Sequence, residues 1–339
     1  MLHFLTNLNK KKKQNRQPPA DIDEQEFLDQ CKTYLEKLET VRLDKLKNYK
    51  WRKKISIPIA SVLTPVCGYI DYWLLMLQRG SDDGLAGLTV IALGALYQWV
   101  TSPKRQYARA YKKEMLPKII ELFGDFSYDL KGRIDEFISK KSKIFPRYDR
   151  YESEDYFSGS YKQTNIEFSE INLKQRRRSG KRTRYVTVFK GLAVLLSVNS
   201  KRFYGHTIVD KNKSKTSEWF KEKSTKLKRA NLVDPKFEDI FDVYTNDQVE
   251  ARYLIDPIIM DQFQALEKEY DGKGITAAFY EDKLFILIPS DHNHFEPMDI
   301  FTPATDIKSV LSMKREVQQI LSLVDHLSLY DPLKVPRDT

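Results

Sequence analysis

The stretch ISIPIASVLTPVCGYIDYWLLML, residues 55–77, is followed, after the short acidic link QRGSDD at 78–83, by GLAGLTVIALGALYQWV at 84–100. Both runs sit in a chain that is otherwise polar and basic. A bilayer core of about 30 Å needs about 20 mainly apolar helical residues, which the first run supplies and the second supplies if its ends reach the headgroups. The pattern predicts a transmembrane hairpin. A buried helical pair in a soluble core is the alternative, because the second run is short and the first holds Pro58, Pro65 and Asp71.

The flanks favour the membrane. Lys50, Arg52, Lys53 and Lys54 precede the first run, Lys104, Arg105, Arg109, Lys112 and Lys113 follow the second, and the link has one Arg against two Asp. By the positive-inside rule both termini are cytoplasmic, with Trp51 and Trp99 at the inner interface and Tyr72 and Trp73 at the outer one. Asp71 then falls within a turn of the outer surface. Ala60, Thr64, Cys67 and Asp71 recur at helical steps, and a small, polar face of this kind suits a packing seam against Gly87 and Gly94. A proton or ion pathway through Asp71 is the competing role.

Beyond the hairpin, charged residues at 31% and hydrophobic ones at 41% fit one medium soluble domain with helical connectors. The two cysteines, Cys31 and Cys67, cannot make a disulfide framework, and no cofactor is implied. The N-terminal MLHFL is too short for a signal peptide, so the first span is expected to direct insertion. Residues 1–20 read as a disordered basic tail, 21–54 as a cytoplasmic helix, 103–142 as a second cytoplasmic helix forming a stalk with the first, and 331–339 as a tail. A helix lying on the lipid surface is the alternative to the stalk.

From 143 to 330 the pattern changes to an α+β domain with a mainly antiparallel sheet. Strands are expected at 161–173, 183–189, 192–198, 204–209, 241–244, 275–279 and 284–289, with Ser179-Gly180 and Lys190-Gly191 as turns. Two helices complete it, at 257–270, opened by Asp256 and Pro257, and at 306–329.

Val188-Phe189-Lys190-Gly191, the run from Phe237 to Tyr244, Asp247 to Tyr253, and Phe295-Glu296-Pro297 resemble a bacterial membrane-protein family known as domain of unknown function 3137. Ser153-Glu154-Asp155, Gly159 and Ser169-Glu170 fit the same pattern, so the resemblance is expected to run from about 153 to 329. It implies a two-span protein of the bacterial inner membrane and carries no established reaction or catalytic residue. Read physically, Asp247 and Glu250 have capping-box spacing, Arg252 could pair with a nearby carboxylate, Phe189 and Phe295 are core aromatics, and Gly191 serves a tight turn or bulge.

No phosphate-binding loop, G-x-S-x-G or H-E-x-x-H occurs. Asp155, Glu167, Glu170 and His206 are the residues that could converge for acid/base work, and Asp291, His292, His294 and Glu296 those that could ligate a metal from an extended segment. Both sets have simpler roles in cross-strand pairing and solvated loops. The remaining signal is charge: Arg176, Arg177, Arg178, Lys181, Arg182 and Arg184 make a basic loop, with a second basic tract from Lys211 to Arg229. A solvated charged loop is the default reading; anionic lipid is the partner that such loops beside a membrane could touch, and nucleic acid is disfavoured without a groove-reading module. The expected function is a membrane-anchored interaction or scaffolding protein with a protein partner or a second copy of itself. A membrane-tethered enzyme and an accessory subunit of a transport or envelope system are the alternatives.

Overall fold

The computed structural model describes residues 23–77, 87–162, 164–180, 182–197, 203–211, 227–230, 232, 234–270 and 274–326. The tails at 1–20 and 331–339, the link at 78–83, Lys181 and most of the second basic tract therefore lie outside the described residues. The chain divides into a helical unit, Glu24–Leu116 with Glu296–Leu311, and a sheet unit that includes Pro117–Phe295 and continues from Ser312.

In the helical unit α1 spans Glu24–Leu77 and α2 spans Leu88–Glu114. The expected boundary between a cytoplasmic helix and a membrane helix at 54 does not interrupt α1, which runs through Pro58 and Pro65. The two helices are paired. Arg52 donates to the Trp99 carbonyl at 2.9 Å and to Ser102 Oγ at 2.8 Å, and its guanidinium lies 4.8 Å from the Trp99 ring centroid. Toward the other end, Asp71 accepts from Leu88 N at 3.1 Å and from Thr89 N and Oγ1 at 3.0 and 2.7 Å.

The seam between the helices differs from the expected one. From Arg52 onward the partly covered positions of α1 are Arg52, Ile55, Ser56, Ala60, Leu63, Cys67, Asp71 and Leu74, whereas Thr64 and, on α2, Gly94 are exposed. A Cβ added at Gly87 or Gly94 would meet nothing within 4 Å, so neither glycine is needed for close approach. The expected register placed small residues together; the actual one is set by Arg52 and Asp71, which fix the two ends through hydrogen bonds.

The polar base of this unit is tied by residues 296–311. Arg42 grips Glu39 with two hydrogen bonds, 2.8 and 2.6 Å, and donates to the Ile300 carbonyl at 2.6 Å. Glu39 also accepts from Ala304 N at 2.7 Å. The Arg42 hydrogen bond holds the Glu39 carboxyl below its ordinary value. Lys112 pairs with Glu296 at 2.7 Å, and Lys104 reaches Asp299 at 3.3 Å while lying 4.9 Å above both the Tyr49 and Phe301 rings.

The single helix expected over 103–142 does not form. After α2 come α3 (Leu116–Glu121) and then strand β1 (Asp125–Asp129), followed by α4 (Glu136–Lys141). Met115, Ile119, Leu122 and Phe126 keep helical spacing, but Gly124 adopts φ +150° and ends the helical run. Beyond it Phe126 and Tyr128 alternate with polar residues and pair with Gly159 and Phe157.

The sheet unit is α+β, as expected, with nine antiparallel strands in the order β1-β2-β3-β4-β9-β8-β5-β7-β6 among the described residues. The remaining strands are β2 (Arg150–Tyr161), β3 (Thr164–Ser179), β4 (Arg182–Ser197), β5 (Phe203–Lys211), β6 (Lys228–Arg229), β7 (Phe241–Thr245), β8 (Thr276–Glu281) and β9 (Lys283–Pro289). Helices α5 (Pro235–Glu238), α6 (Gln248–Leu254), α7 (Pro257–Glu269) and α8 (Ile307–His326) complete the chain. Asp256 caps α7, accepting from Ile259 N at 2.9 Å, with Pro257 at the first position.

The central strands β8 and β9 are buried on both faces. On one face Ile171, Leu173, Leu195, Ile208, Phe285 and Leu287 pack with Ile134, Ile144 and Phe145. On the other, Phe168 stacks on Phe157 with centroids 4.6 Å apart, Phe295 closes on Phe157 at 4.8 Å, and Phe263 of α7 meets Phe279. Phe295 is a fully buried core residue and Phe189 a partly buried one.

Gly191 is not a turn residue. It lies inside β4 opposite Pro289 with φ +153°, and a Cβ there would stand 2.0 Å from the Ile288 carbonyl oxygen. The expected bulge is present nearby, where the β3–β4 register shifts between Leu173 and Lys174. The Ser179-Gly180 turn does form, with Gly180 at φ +59°.

Candidate functional site

Each acid/base residue singled out from the sequence is held by its own structural partner. Asp155, at the β2 bulge with φ +53°, is fully buried and accepts from Tyr128 OH at 2.6 Å. Glu167 accepts from Tyr156 OH at 2.8 Å. His206 on β5 places Nε2 2.9 Å from the Ser142 carbonyl and stacks on Tyr280, and burial pushes its pKa down to about 4. The imidazole is therefore neutral at physiological pH, and Nε2–H donates to that carbonyl.

Glu170 is the residue the fold brings into contact with the histidine-containing segment. Its Oε1 accepts from the backbone N–H of His294 and, at 3.2 Å, from that of Phe295. The carboxylate thus anchors the turn that delivers Phe295 to the aromatic cluster. A second acid, one that sequence spacing does not single out, is Glu316 of α8. Burial and then the charge of Glu170 push its pKa up to about 8, and its Oε2 is buried without a hydrogen-bond partner. The signal was available: Glu316 sits one position before Val317, on the edge of the apolar stripe of α8. At neutral pH Glu316 is therefore held mostly as the neutral acid.

The metal candidates do not gather. His292 is exposed and its N–H donates to Ser290 Oγ at 3.2 Å, Asp291 offers its carbonyl to Lys190 at 3.0 Å, and Glu296 is paired with Lys112. Among the described residues no three His, Cys, Asp or Glu side chains stand where they could hold one ion.

The motif from Asp247 to Arg252 has a structural explanation that only the fold reveals. Asp247 caps α6, accepting from Val249 N and Glu250 N at 3.0 Å each. Glu250 does not complete a capping box; Asp247 N donates instead to Thr245 Oγ1. Its carboxylate clamps the irregularity in β5, accepting from Tyr204 N at 2.7 Å and from Gly205 N, while Asn246 Oδ1 takes His206 N at 2.6 Å. Bulged amides that leave the ladder need acceptors, and these side chains supply them. Arg252 is exposed, with no ion pair among the described residues.

Residues 187–329 match the family described as "Protein of unknown function (DUF3137)". This part of the chain is similar to that family. The match starts later than expected, so Ser153-Glu154-Asp155, Gly159 and Ser169-Glu170 lie outside it. No curated protein matches the chain. The crystal structure of the mycobacterial trehalose monomycolate transport factor A, TtfA, is similar over 61% of this chain and 89% of that one, at 9% identity and a TM-score of 0.32, too weak a likeness to argue from.

Two features precede the matched region. The first is the basic stretch, which is not a loop. Arg176, Arg177 and Arg178 belong to β3 and are in register with Tyr185, Arg184 and Thr183 of β4, so the stretch is a β-hairpin closed at Gly180. The side chain of Arg182, like Lys181, lies outside the described residues. The second is the apolar part of α1. It holds a window long and apolar enough to cross a membrane, and none of that window is buried. Ile57, Val62 and Tyr69 face outward, as do Val90 and Ile91 on α2, where Val90 is 74% exposed.

Proposed function

We propose that the protein is a membrane-anchored scaffold. Residues 55–77 and 84–101 cross the bacterial inner membrane as a hairpin with both termini in the cytoplasm, and the sheet unit with its DUF3137-like region binds a protein partner or a second copy of the chain beside that membrane. One observation carries this reading: the helix pair exposes large apolar side chains along its outer surface and keeps the charged Arg52 and Asp71 in the seam. Its partly covered seam includes Arg52, Ser56 and Asp71, while Ile57, Val62, Tyr69, Ile70, Trp73, Val90 and Ile91 point away from it. A soluble core helix has the reverse arrangement, and an exposed apolar surface of this extent calls for lipid.

Asp71 supports the anchor as a structural residue. Through its three hydrogen bonds it caps the start of α2, where Gly87 offers no side chain. The scaffold role is supported by a surface around the Glu250 clamp, where Tyr204 and Tyr253 are 90% and 88% exposed beside Val249 and Arg252. Exposed tyrosine and arginine together are the composition of partner-binding surfaces.

The test is alkaline extraction of membranes from cells expressing the full chain. An integral protein stays with the membrane at pH ~11 and is released by detergent alone. Recovery as unaggregated protein in the aqueous fraction overturns the anchor.

A further inference from the structure

We propose that the hairpin of β3 and β4 is a second membrane contact, a basic arm that docks on the anionic phospholipid headgroups of the leaflet beside which the domain is tethered. The inference rests on the anchored reading above and adds to it a ligand class and a site. Three observations carry it.

First, the hairpin leaves the sheet. β2 pairs with β3 only as far as Arg150 opposite Lys174, and β9 pairs with β4 only from Gly191 onward. Residues 175–187 are thus a two-stranded ribbon whose outer edges carry no further strand among the described residues. Its root is fixed: Asp149 N donates to the Lys174 carbonyl at 2.8 Å, and the Asp149 carboxylate accepts from Arg176 N at 2.6 Å.

Second, the charge of the ribbon is unbalanced. No acidic residue occurs between 175 and 187, and Arg177 stands directly opposite Arg184. Like charges opposed across a ladder destabilise it, and an isolated two-stranded ribbon is marginal to begin with. Arg176, Arg177, Arg178 and Arg184 have no carboxylate partner among the described residues. At the root, by contrast, Lys174 is paired with Glu152. An anion from outside would relieve the repulsion.

Third, the ribbon carries an aromatic ring suited to the headgroup layer. Tyr185 is 41% exposed, and the Arg150 guanidinium lies 3.7 Å from its ring centroid. Tyrosine settles where an apolar body meets a wet surface. Cations alternate onto both faces of the ribbon, Arg176 and Arg178 on one and Arg177 and Arg184 on the other, which fits a tip surrounded by headgroups. Tethering keeps the leaflet at high local concentration, and this favours lipid over nucleic acid, the other polyanion a basic ribbon could take.

The experiment is hydrogen exchange of the ribbon amides in the full chain, reconstituted into nanodiscs of phosphatidylcholine alone or mixed with phosphatidylglycerol. Exchange is expected to slow at least tenfold in the anionic discs, and 0.5 M NaCl is expected to abolish the difference. Each arginine removed weakens docking about fivefold, so Arg177→Gln with Arg184→Gln brings the anionic-to-neutral ratio close to one. The same double variant slows exchange in neutral discs, because the opposed charges are gone. Equal rates for the unaltered chain in both discs overturn the proposal. So does protection by duplex DNA in neutral discs without protection by anionic lipid, which assigns the arm to nucleic acid. If the chain fails to enter discs at all, the anchor is wrong and vesicles of the two compositions decide the arm: protection by the anionic vesicles keeps it, and none removes it.

Discussion

Replacing Glu316 by Gln should make the sheet unit more stable at alkaline pH and leave it unchanged in acid. The Glu316 carboxyl titrates near 8 in the fold against 4.5 for the unperturbed group, first because it is buried and then because Glu170 is negative. Between these values the folded state holds a proton that the unfolded chain has released, so stability falls as pH rises through that window and levels off above 8. The full shift corresponds to a ceiling of about 5 kcal/mol. Partial solvent access at Glu316 screens this, and about 2 kcal/mol is the expected net effect. Gln keeps the size and polarity but cannot ionise. Native-state hydrogen exchange of β3 amides, compared between the two proteins at the same pH, reads the difference directly. Protection in the Gln variant should exceed that of the unaltered protein roughly 30-fold at pH 8.5 and match it at pH 4.5. A difference independent of pH, or a Gln variant that is less protected at pH 8.5, refutes the reasoning.

Three further outcomes follow from the same geometry. Glu250→Ala leaves the Tyr204 and Gly205 amides without their acceptor and should cost about 3 kcal/mol, seen as accelerated exchange confined to β5 and α6. Asp71→Asn weakens the cap on α2 by about 1 kcal/mol without preventing insertion, so membrane yield should hold while amide exchange at Leu88 and Thr89 rises. Gly191→Ala drives a methyl group into the Ile288 carbonyl at a left-handed φ and should separate β4 from β9, leaving little folded protein on size exclusion in detergent.

Much of this architecture is legible in the residues themselves. The continuous apolar run at 284–289 and the Asp256-Pro257 start of α7 depend on local chemistry, and both elements form where the pattern places them. The helix expected to 142 fails for a different reason: the stretch is helical as far as Glu121, Phe126 keeps the helical period by coincidence, and the pairing of β1 with β2 decides the outcome there. The basic stretch misled in a similar way. Six cations in nine residues read as a solvated loop, yet the Ser179-Gly180 turn was sufficient to imply a ribbon. The contacts of Glu250 and Glu170 were beyond sequence reasoning, because each carboxylate serves backbone amides 45 or 125 residues away. Spacing along the chain carries no trace of such long-range partners. The same holds for Glu39 and Arg42, whose helical spacing suggests an ordinary surface pair, while their further partners lie at Ala304 and Ile300.

The most direct test of the anchored account is protease digestion of sealed membrane vesicles of known orientation. Added trypsin should digest the sheet unit in inside-out vesicles and leave it intact in right-side-out ones until detergent opens them. Digestion of the sheet unit in intact right-side-out vesicles would contradict the two-span topology.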